Sequence, residues 1–206
     1  MIENIKSLYF IKIVFSHINE RKKLKIIKYC KQIQNKIDIY LLNYKIFSGF
    51  YIIYESKTKG KEYNGFNDKL IFEGEYLNGE KNGKGKEYYD SGEIKFEGEY
   101  LNGKRNGKGK QYSYSNNSTI TFEGEYLNGQ KNGKGKEFYS NGNLQFEGEF
   151  LNGKRNGKGK EYYNEEILFE GEYLNGERFN GKGKEFNVNE ELIFEGEYIK
   201  GKKNPK

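Results

Sequence analysis

FEGEYLNGEKNGKGKEY, from Phe72 to Tyr88, is the stretch that decides the fold. It returns with small changes at Phe96, Phe122, Phe146 and Phe169, and in part at Phe194, at spacings of 24, 26, 24, 23 and 25 residues. Self-similarity at a nearly fixed period denotes stacked units, each burying its apolar face on its neighbours. Leu70, Phe72, Gly74 and Tyr76 alternate with Ile71, Glu73 and Glu75, which predicts a half-buried strand. Asn78-Gly79 and Asn82-Gly83 follow. Asn-Gly between two strand-like runs signals a hairpin, because both residues tolerate positive φ. Lys84 to Tyr89 is then the second strand, and Asp90-Ser91-Gly92 turns the chain into the next copy. Tandem copies predict one antiparallel meander of about 13 strands.

Two registers of the second strand fit this pattern. A four-residue loop pairing Asn78 with Gly83 puts Tyr89 on the Phe72 face. Yet the position of Tyr88 is aromatic in every full copy (Tyr112, Phe138, Tyr162, Phe186), and a slip of one residue exchanges the faces. Glycine inside a strand weakens it unless something needs the room, here an aromatic ring lying across the backbone. Gly74, Gly85, Gly98, Gly109, Gly124, Gly135, Gly148, Gly159, Gly171 and Gly183 are the structural glycines on this reading. Glu73 and Glu75 fall on the opposite face, near Lys84 or Lys86 across the hairpin, as charge pairs on a solvated surface.

The phrase [YF]-x-G-x-[YF]-x-x-G-x-x-x-G-x-G resembles the MORN (membrane occupation and recognition nexus) repeat. The resemblance covers roughly residues 47–204. It implies an elongated, twisted, single-layer sheet with an aromatic groove along one face. It further implies a scaffold in cytoskeletal or junctional assemblies, or an accessory module of an enzyme such as a phosphatidylinositol-phosphate kinase or a lysine methyltransferase. Dimers and phospholipid binding occur among the family's proposed properties. Carried onto this chain, the groove aromatics are Phe72, Tyr76, Phe96, Tyr100, Phe122, Tyr126, Phe146, Phe150, Phe169 and Tyr173. Glu87 stands where many family members have an aromatic, which makes the groove more polar. Phe179 is an insertion in the fifth copy and implies a bulge or longer loop.

The expected organisation is a basic amphipathic helical segment, or helical cap on the first hairpin, over 1–46, a degenerate first repeat over 47–71, and five repeats over 72–95, 96–121, 122–145, 146–168 and 169–193. A partial repeat with a basic tail, 194–206, ends the chain. In the degenerate copy Gly49 and Gly60 are spaced as Gly74 and Gly85 are, but the Asn-Gly pairs are gone. Leu24, Ile27, Ile33, Ile37, Tyr40, Leu41 and Tyr44 recur at helical spacing. The fold class is therefore mainly β, a single-layer meander of tandem hairpins with a small α-helical N-terminal segment.

Charge separates the two parts. The net charge is +6, yet residues 1–46 hold ten Lys/Arg and three Asp/Glu while the remainder holds 26 and 27. The basic excess belongs to the N-terminal segment, so nucleic-acid binding is not assigned to the repeats. Lys22, Lys23, Lys25, Lys28 and Lys31 are the residues that would meet anionic lipid.

Chemistry is scarce. One Cys (Cys30) excludes an intrachain disulfide and fits a reducing compartment. His17 is the one histidine, and with Cys30 it falls short of a structural zinc site. Gly98 to Lys104 and Gly148 to Lys154 match G-x-x-x-x-G-K, but Arg follows where a P-loop needs Ser or Thr. The Asn116 and Asn117 sequons matter only in a secreted chain. The expectation is a cytoplasmic, non-enzymatic scaffold without cofactor or metal, holding a protein partner along the aromatic groove, with a homodimer possible. The alternatives are a peripheral membrane protein anchored by the N-terminal lysines, cytoskeletal association, or an accessory subunit of a separate enzyme.

Overall fold

The computed structural model describes residues 49–114 and 119–205. The expected helical segment, with its five lysines, lies outside the described residues. The chain divides into two compact units, Met1–Ile71 and Phe72–Lys206. Among the described residues there are fourteen strands, ordered in an open antiparallel sheet as in the chain, and no helix.

In the first unit, β1 (Phe50–Tyr54) and β2 (Lys59–Asn64) form a hairpin. Tyr51 stacks on Tyr63 at 5.3 Å and donates to Asp68 Oδ1 at 2.9 Å. Gly60 faces Tyr54 in this hairpin and Gly49 precedes β1. The spacing of 11 shared with Gly74 and Gly85 therefore does not bring glycine against glycine in this degenerate copy.

β3 is Leu70–Leu77, and the second unit continues through β4 (Glu80–Tyr88), β5 (Ile94–Leu101), β6 (Lys104–Tyr112), β7 (Ile120–Leu127), β8 (Gln130–Phe138), β9 (Leu144–Leu151) and β10 (Lys154–Tyr163). β11 (Glu166–Leu174), β12 (Glu177–Phe186), β13 (Leu192–Ile199) and β14 (Lys202–Pro205) complete it. β14 is a strand beyond the 13 expected, because the last copy turns through Lys200-Gly201 and pairs Ile199 with Lys202.

The hairpin register settles the question of faces. Leu77 pairs with Glu80 and Tyr76 with Lys81. Asn78 and Gly79 are thus a two-residue turn, with φ of 52° and 80°, as a type I′ turn demands. The four-residue loop is not formed. Tyr88 falls on the Glu73 face and donates to Glu73 Oε1 at 2.6 Å; Tyr112 and Tyr162 do the same to Glu97 and Glu147 at 2.6 Å.

Asn82-Gly83 is not a second turn but a bulge inside β4. Between Gly74–Gly85 and Tyr76–Lys81 one residue of β3 faces three of β4. Gly83 takes φ of 99°, and a Cβ there would overlap the Glu75 carboxylate, which folds over it to accept the Lys84 N–H at 3.1 Å. The neighbouring asparagine ties tip to tip. Asn106 Oδ1 accepts the Asn128 N–H at 3.4 Å and Asn156 Oδ1 the Asn175 N–H at 3.2 Å. From Gly103 onward the turn glycines also donate to the preceding hairpin, Gly103 to Lys81 O at 2.9 Å and Gly129 to Arg105 O at 2.8 Å.

Phe179 makes the expected bulge in the fifth hairpin, but of one residue only, opposite Glu172/Tyr173. β12 consequently slips by two, so Gly171 pairs with Gly181 and Phe169 with Gly183. Gly183 was expected to fill the place that Gly181 takes against Gly171. It does meet Gly196 on the far side.

Candidate functional site

The face bearing Phe72 is built in layers from the glycines outward. Gly74 pairs with Gly85, and a Cβ on Gly74 would lie 2.6 Å from Gly85 Cα. Removing both side chains opens a slot over two strands, and the Phe72 ring fills it. Phe72, Phe96, Phe122, Phe146 and Phe169 are 0% exposed. Tyr76, Tyr100, Tyr126, Phe150 and Tyr173, at 3–4%, close the slots edge-on. Each Phe meets its own repeat's second aromatic and that of the next: Phe122 touches Tyr126 at 5.3 Å and Phe150 at 5.2 Å, both T-shaped. Such pairs contribute about 0.5–1.5 kcal/mol beyond area burial.

The ten predicted groove aromatics are therefore brought together, but as core. The expectation of an exposed aromatic groove is corrected: one layer of sheet has no second sheet to pack against, so its rings bury themselves on glycine backbone, on one another and under cations.

Those cations are the residues that sequence reading passed over. Two positions beyond the Asn-Gly turn the chain is basic in every copy, and each such residue covers its phenylalanine. Lys81 Nζ lies 4.3 Å from the Phe72 centroid, Arg105 Cζ 4.1 Å from Phe96, Lys131 Nζ 4.4 Å from Phe122 and Arg155 Cζ 4.3 Å from Phe146. The repeated Lys/Arg was visible in the motif, and its partner was Glu87, whose polarity was noted. Glu87 accepts from Tyr100 Oη at 2.9 Å and from Arg105 Nε and Nη2 at 3.1 and 2.6 Å. Glu137 is held by Lys131 Nζ at 2.7 Å and Arg155 Nε at 2.9 Å. Glu161 receives Tyr173 Oη at 3.1 Å, with Arg178 Nε and Nη2 at 3.0 and 2.9 Å. Glu185 receives Tyr198 Oη at 2.6 Å and Lys203 Nζ.

Electrostatics follow from this ladder. Burial raises the Glu87 carboxyl, but the Arg105 hydrogen bond and charge outweigh it, and the net shift is downward. Glu137 is lowered on the same balance by Lys131 and Arg155. Burial first, and then Glu87, push the Tyr100 phenol up; Tyr173 rises likewise beside Glu161. The arrangement binds charge to charge. Among the described residues no group of three metal-ligating side chains occurs, and no helix is long and apolar enough to cross a membrane.

The opposite face carries alternating charge. Lys110 lies 3.4 Å from Glu123, Lys136 3.4 Å from Glu147 and Lys160 3.0 Å from Glu170. These pairs are exposed, worth no more than about 1 kcal/mol each. At the hairpin tips of this face stands one aliphatic side chain per repeat: Leu77, Leu101, Leu127, Leu151, Leu174 and Ile199, 47–55% exposed. Sequence reading placed Leu77 in the motif without giving it a role.

A family model described as MORN repeat matches residues 72–94, 96–118, 122–144 and 146–165. No curated protein matches the chain. Among solved structures, one titled "Crystal Structure of TarM" is similar at 15% identity and a TM-score of 0.34, covering 62% of this chain and 27% of its own. A second, a mutant TarM of S. aureus in complex with Fondaparinux, alpha-GlcNAc-glycerol and UDP, is similar at 14% identity and a TM-score of 0.34, covering 69% and 27%. The chain thus spans about a quarter of either structure, and likeness at that TM-score carries no argument. The four consecutive family matches do: residues 72–165 of this chain carry four MORN repeats.

Proposed function

We propose that the chain is a non-enzymatic scaffold that holds a protein partner against the outside of its repeats. The observation carrying this is the row Leu77, Leu101, Leu127, Leu151, Leu174 and Ile199, about half exposed and one per repeat. Turn-to-turn hydrogen bonds tie the tips that bear it, so the row is presented by a preorganised edge. The aromatics named from sequence serve in this reading as the support beneath the surface. Changing Leu101, Leu127 and Leu151 together to Ser would leave the β-sheet spectrum and melting temperature nearly unchanged, and would abolish crosslinking to a partner identified with the wild-type chain. Crosslinking that survives at wild-type yield would refute the row.

A second reading rests on the +7 balance of residues 1–46. It makes Lys22, Lys23, Lys25, Lys28 and Lys31 an electrostatic anchor to anionic membrane. Co-sedimentation with phosphatidylserine vesicles, lost with salt and lost with Lys→Gln changes at those five positions, supports it. Salt-insensitive or absent sedimentation rules it out.

A further inference from the structure

The junction between the second and third repeats differs from its neighbours at three positions. At the four others a glutamate on the second strand of one hairpin accepts from the next repeat. Glu87 takes Tyr100 and Arg105, Glu137 takes Arg155, Glu161 takes Tyr173 and Arg178, and Glu185 takes Tyr198 and Lys203. In the second repeat that position is Gln111, and its side-chain oxygen accepts instead from Arg105 of its own hairpin, at 3.4 Å.

The consequence falls on Tyr126. It stands where Tyr100, Tyr173 and Tyr198 stand, yet its buried hydroxyl has no hydrogen-bond partner. Burial pushes its phenol up to about 12, and Arg105 acts on it electrostatically without a well-formed bond. The third difference lies at the other end of the strand. Tyr89 donates to Tyr112 O at 2.8 Å and Tyr139 to Tyr162 O at 2.9 Å, each reaching into the next repeat. The corresponding residue of the second repeat is Ser113, which has no phenol to extend; the fifth repeat, with Asn187, shares this lack, so the seam is set apart by Gln111 and Tyr126.

Still crossing this junction are the β6–β7 backbone ladder, the Phe96–Tyr126 contact at 5.1 Å, Arg105 at 6.0 Å from the Tyr126 ring, the Gly129 N–H to Arg105 O, Ser113 N–H to Thr119 O and Asn128 N–H to Asn106 Oδ1 bonds, Thr121 Oγ1 to Gln111 O at 3.2 Å and the exposed Lys110–Glu123 pair. The stability of a repeat array is close to a sum of unit terms and nearest-neighbour interface terms. Opening is therefore most frequent at the interface that lacks the cross-junction glutamate and leaves a buried hydroxyl without a partner.

We infer that the second unit opens first between β6 and β7, and that residues 72–112 and 119–205 are separate cooperative blocks joined at that seam. A missing charge-assisted bond and an unpartnered buried hydroxyl each shift an opening equilibrium by roughly tenfold. Opening uncovers Tyr126 and the edge of Phe96 while leaving the other slots shut.

Native-state hydrogen exchange on the full chain, in sub-denaturing urea, reads this directly. Amides bonded across β6–β7 are expected to exchange roughly ten- to a hundredfold faster than those across β4–β5 and β10–β11. Gln111→Glu, which restores the residue of the sister copies, brings the seam to parity. Glu137→Gln creates a second fast seam across β8–β9. Tyr126→Phe, which makes this site like Phe150, slows exchange at β6–β7 and guards against misreading a charge effect. Uniform protection in the wild-type chain overturns the inference, and so does a seam that neither Gln111→Glu nor Tyr126→Phe slows.

Discussion

Gly135→Ala tests whether the glycine slot, rather than the strand pairing around it, holds the array together. A Cβ on Gly135 would lie 2.5 Å from Phe122 Cζ, 2.7 Å from Cε2 and 3.3 Å from Glu123 O. Carbon atoms rest about 3.5–4.0 Å apart, so the ring must retreat by roughly 1 Å. It has nowhere to go, because Tyr126 and Phe150 meet its edges and Lys131 sits 4.4 Å above it. Overpacking of this kind costs about 1–3 kcal/mol. Disturbing two T-shaped contacts adds about 1 kcal/mol, and the stiffer unfolded chain returns about 0.5–1 kcal/mol. The net is ~1–3.5 kcal/mol, whose centre of ~2.3 kcal/mol corresponds to about 5–9 °C in Tm for a chain of this size. Thermal unfolding followed by near-UV circular dichroism, where the tyrosines report, measures it. Gly142→Ala is the control: its φ is 88° with nothing within 4 Å, so it carries only backbone strain of about 1–2 kcal/mol. Shortening the ring should rescue the first variant, and Phe122→Leu in the Gly135→Ala background is expected to show at least ~1 kcal/mol of favourable coupling. Equal losses at Gly135 and Gly142, or zero coupling, would refute the slot.

Arg155→Met removes the cation shared by Glu137 and Glu161 while keeping most of the stem over Phe146; the carboxylates left behind are mostly buried, and a loss of about 1–3 kcal/mol by urea titration is expected. Tyr100→Phe strips a partner from Glu87 and should destabilise by about 1 kcal/mol, whereas Tyr126→Phe removes a hydroxyl with no partner and should leave stability equal or higher. The two melting temperatures check this: that of Tyr100→Phe falls and that of Tyr126→Phe does not. In acid, the lowered folded values of Glu87 and Glu137 give stability that is complete above the ordinary carboxylate value of 4.5 and lost as pH falls through the folded values. Tm should be flat from neutrality to about pH 5 and fall below it. In alkali the raised Tyr126 phenol contributes stability present below pH 10 and lost as pH rises towards 12, seen as delayed tyrosinate absorbance at 295 nm followed by unfolding.

Legibility differed from layer to layer. The hairpin repeat was plain, because period-two alternation and Asn-Gly turns are local signals that each copy restates. The role of Gly74 and Gly85 was also plain, since an unneeded strand glycine is selected against by its own cost. The second-strand register was not, because Asn82-Gly83 has the composition of a turn while Gly83 serves a bulge under Glu75. Only the pairing of Leu77 with Glu80 separates the two. The groove expectation failed for a related reason: alternation places a residue on a face but does not say what lies above it. Lys81 and Arg105 cover that face from the neighbouring strand, and their reach is a matter of three-dimensional register. Gln111 acquires meaning only once Tyr126 is seen across the junction, and Ser113 only beside Tyr89 and Tyr139, which reach into the next repeat.

The bonds that run from turn to turn have a consequence for the history of such a chain. Gly103, Gly129, Gly153 and Gly176 each donate to the residue that follows the preceding turn by two positions, so these hairpin tips are docked by one grammar, which shifts by a residue only at Gly201, where the inserted Phe179 accepts. A duplicated stretch of coding sequence, cut at any equivalent pair of points, arrives with both of its docking surfaces already matched. Excising the segment from Phe122 to Gln145 should likewise splice Phe146 onto the end of the second copy with every tip bond remade. Length is then a freely adjustable trait of the lineage, and the individuality of the protein resides in its departures from the repeat: the extra Phe179, the amide at Gln111 and the serine at Ser113.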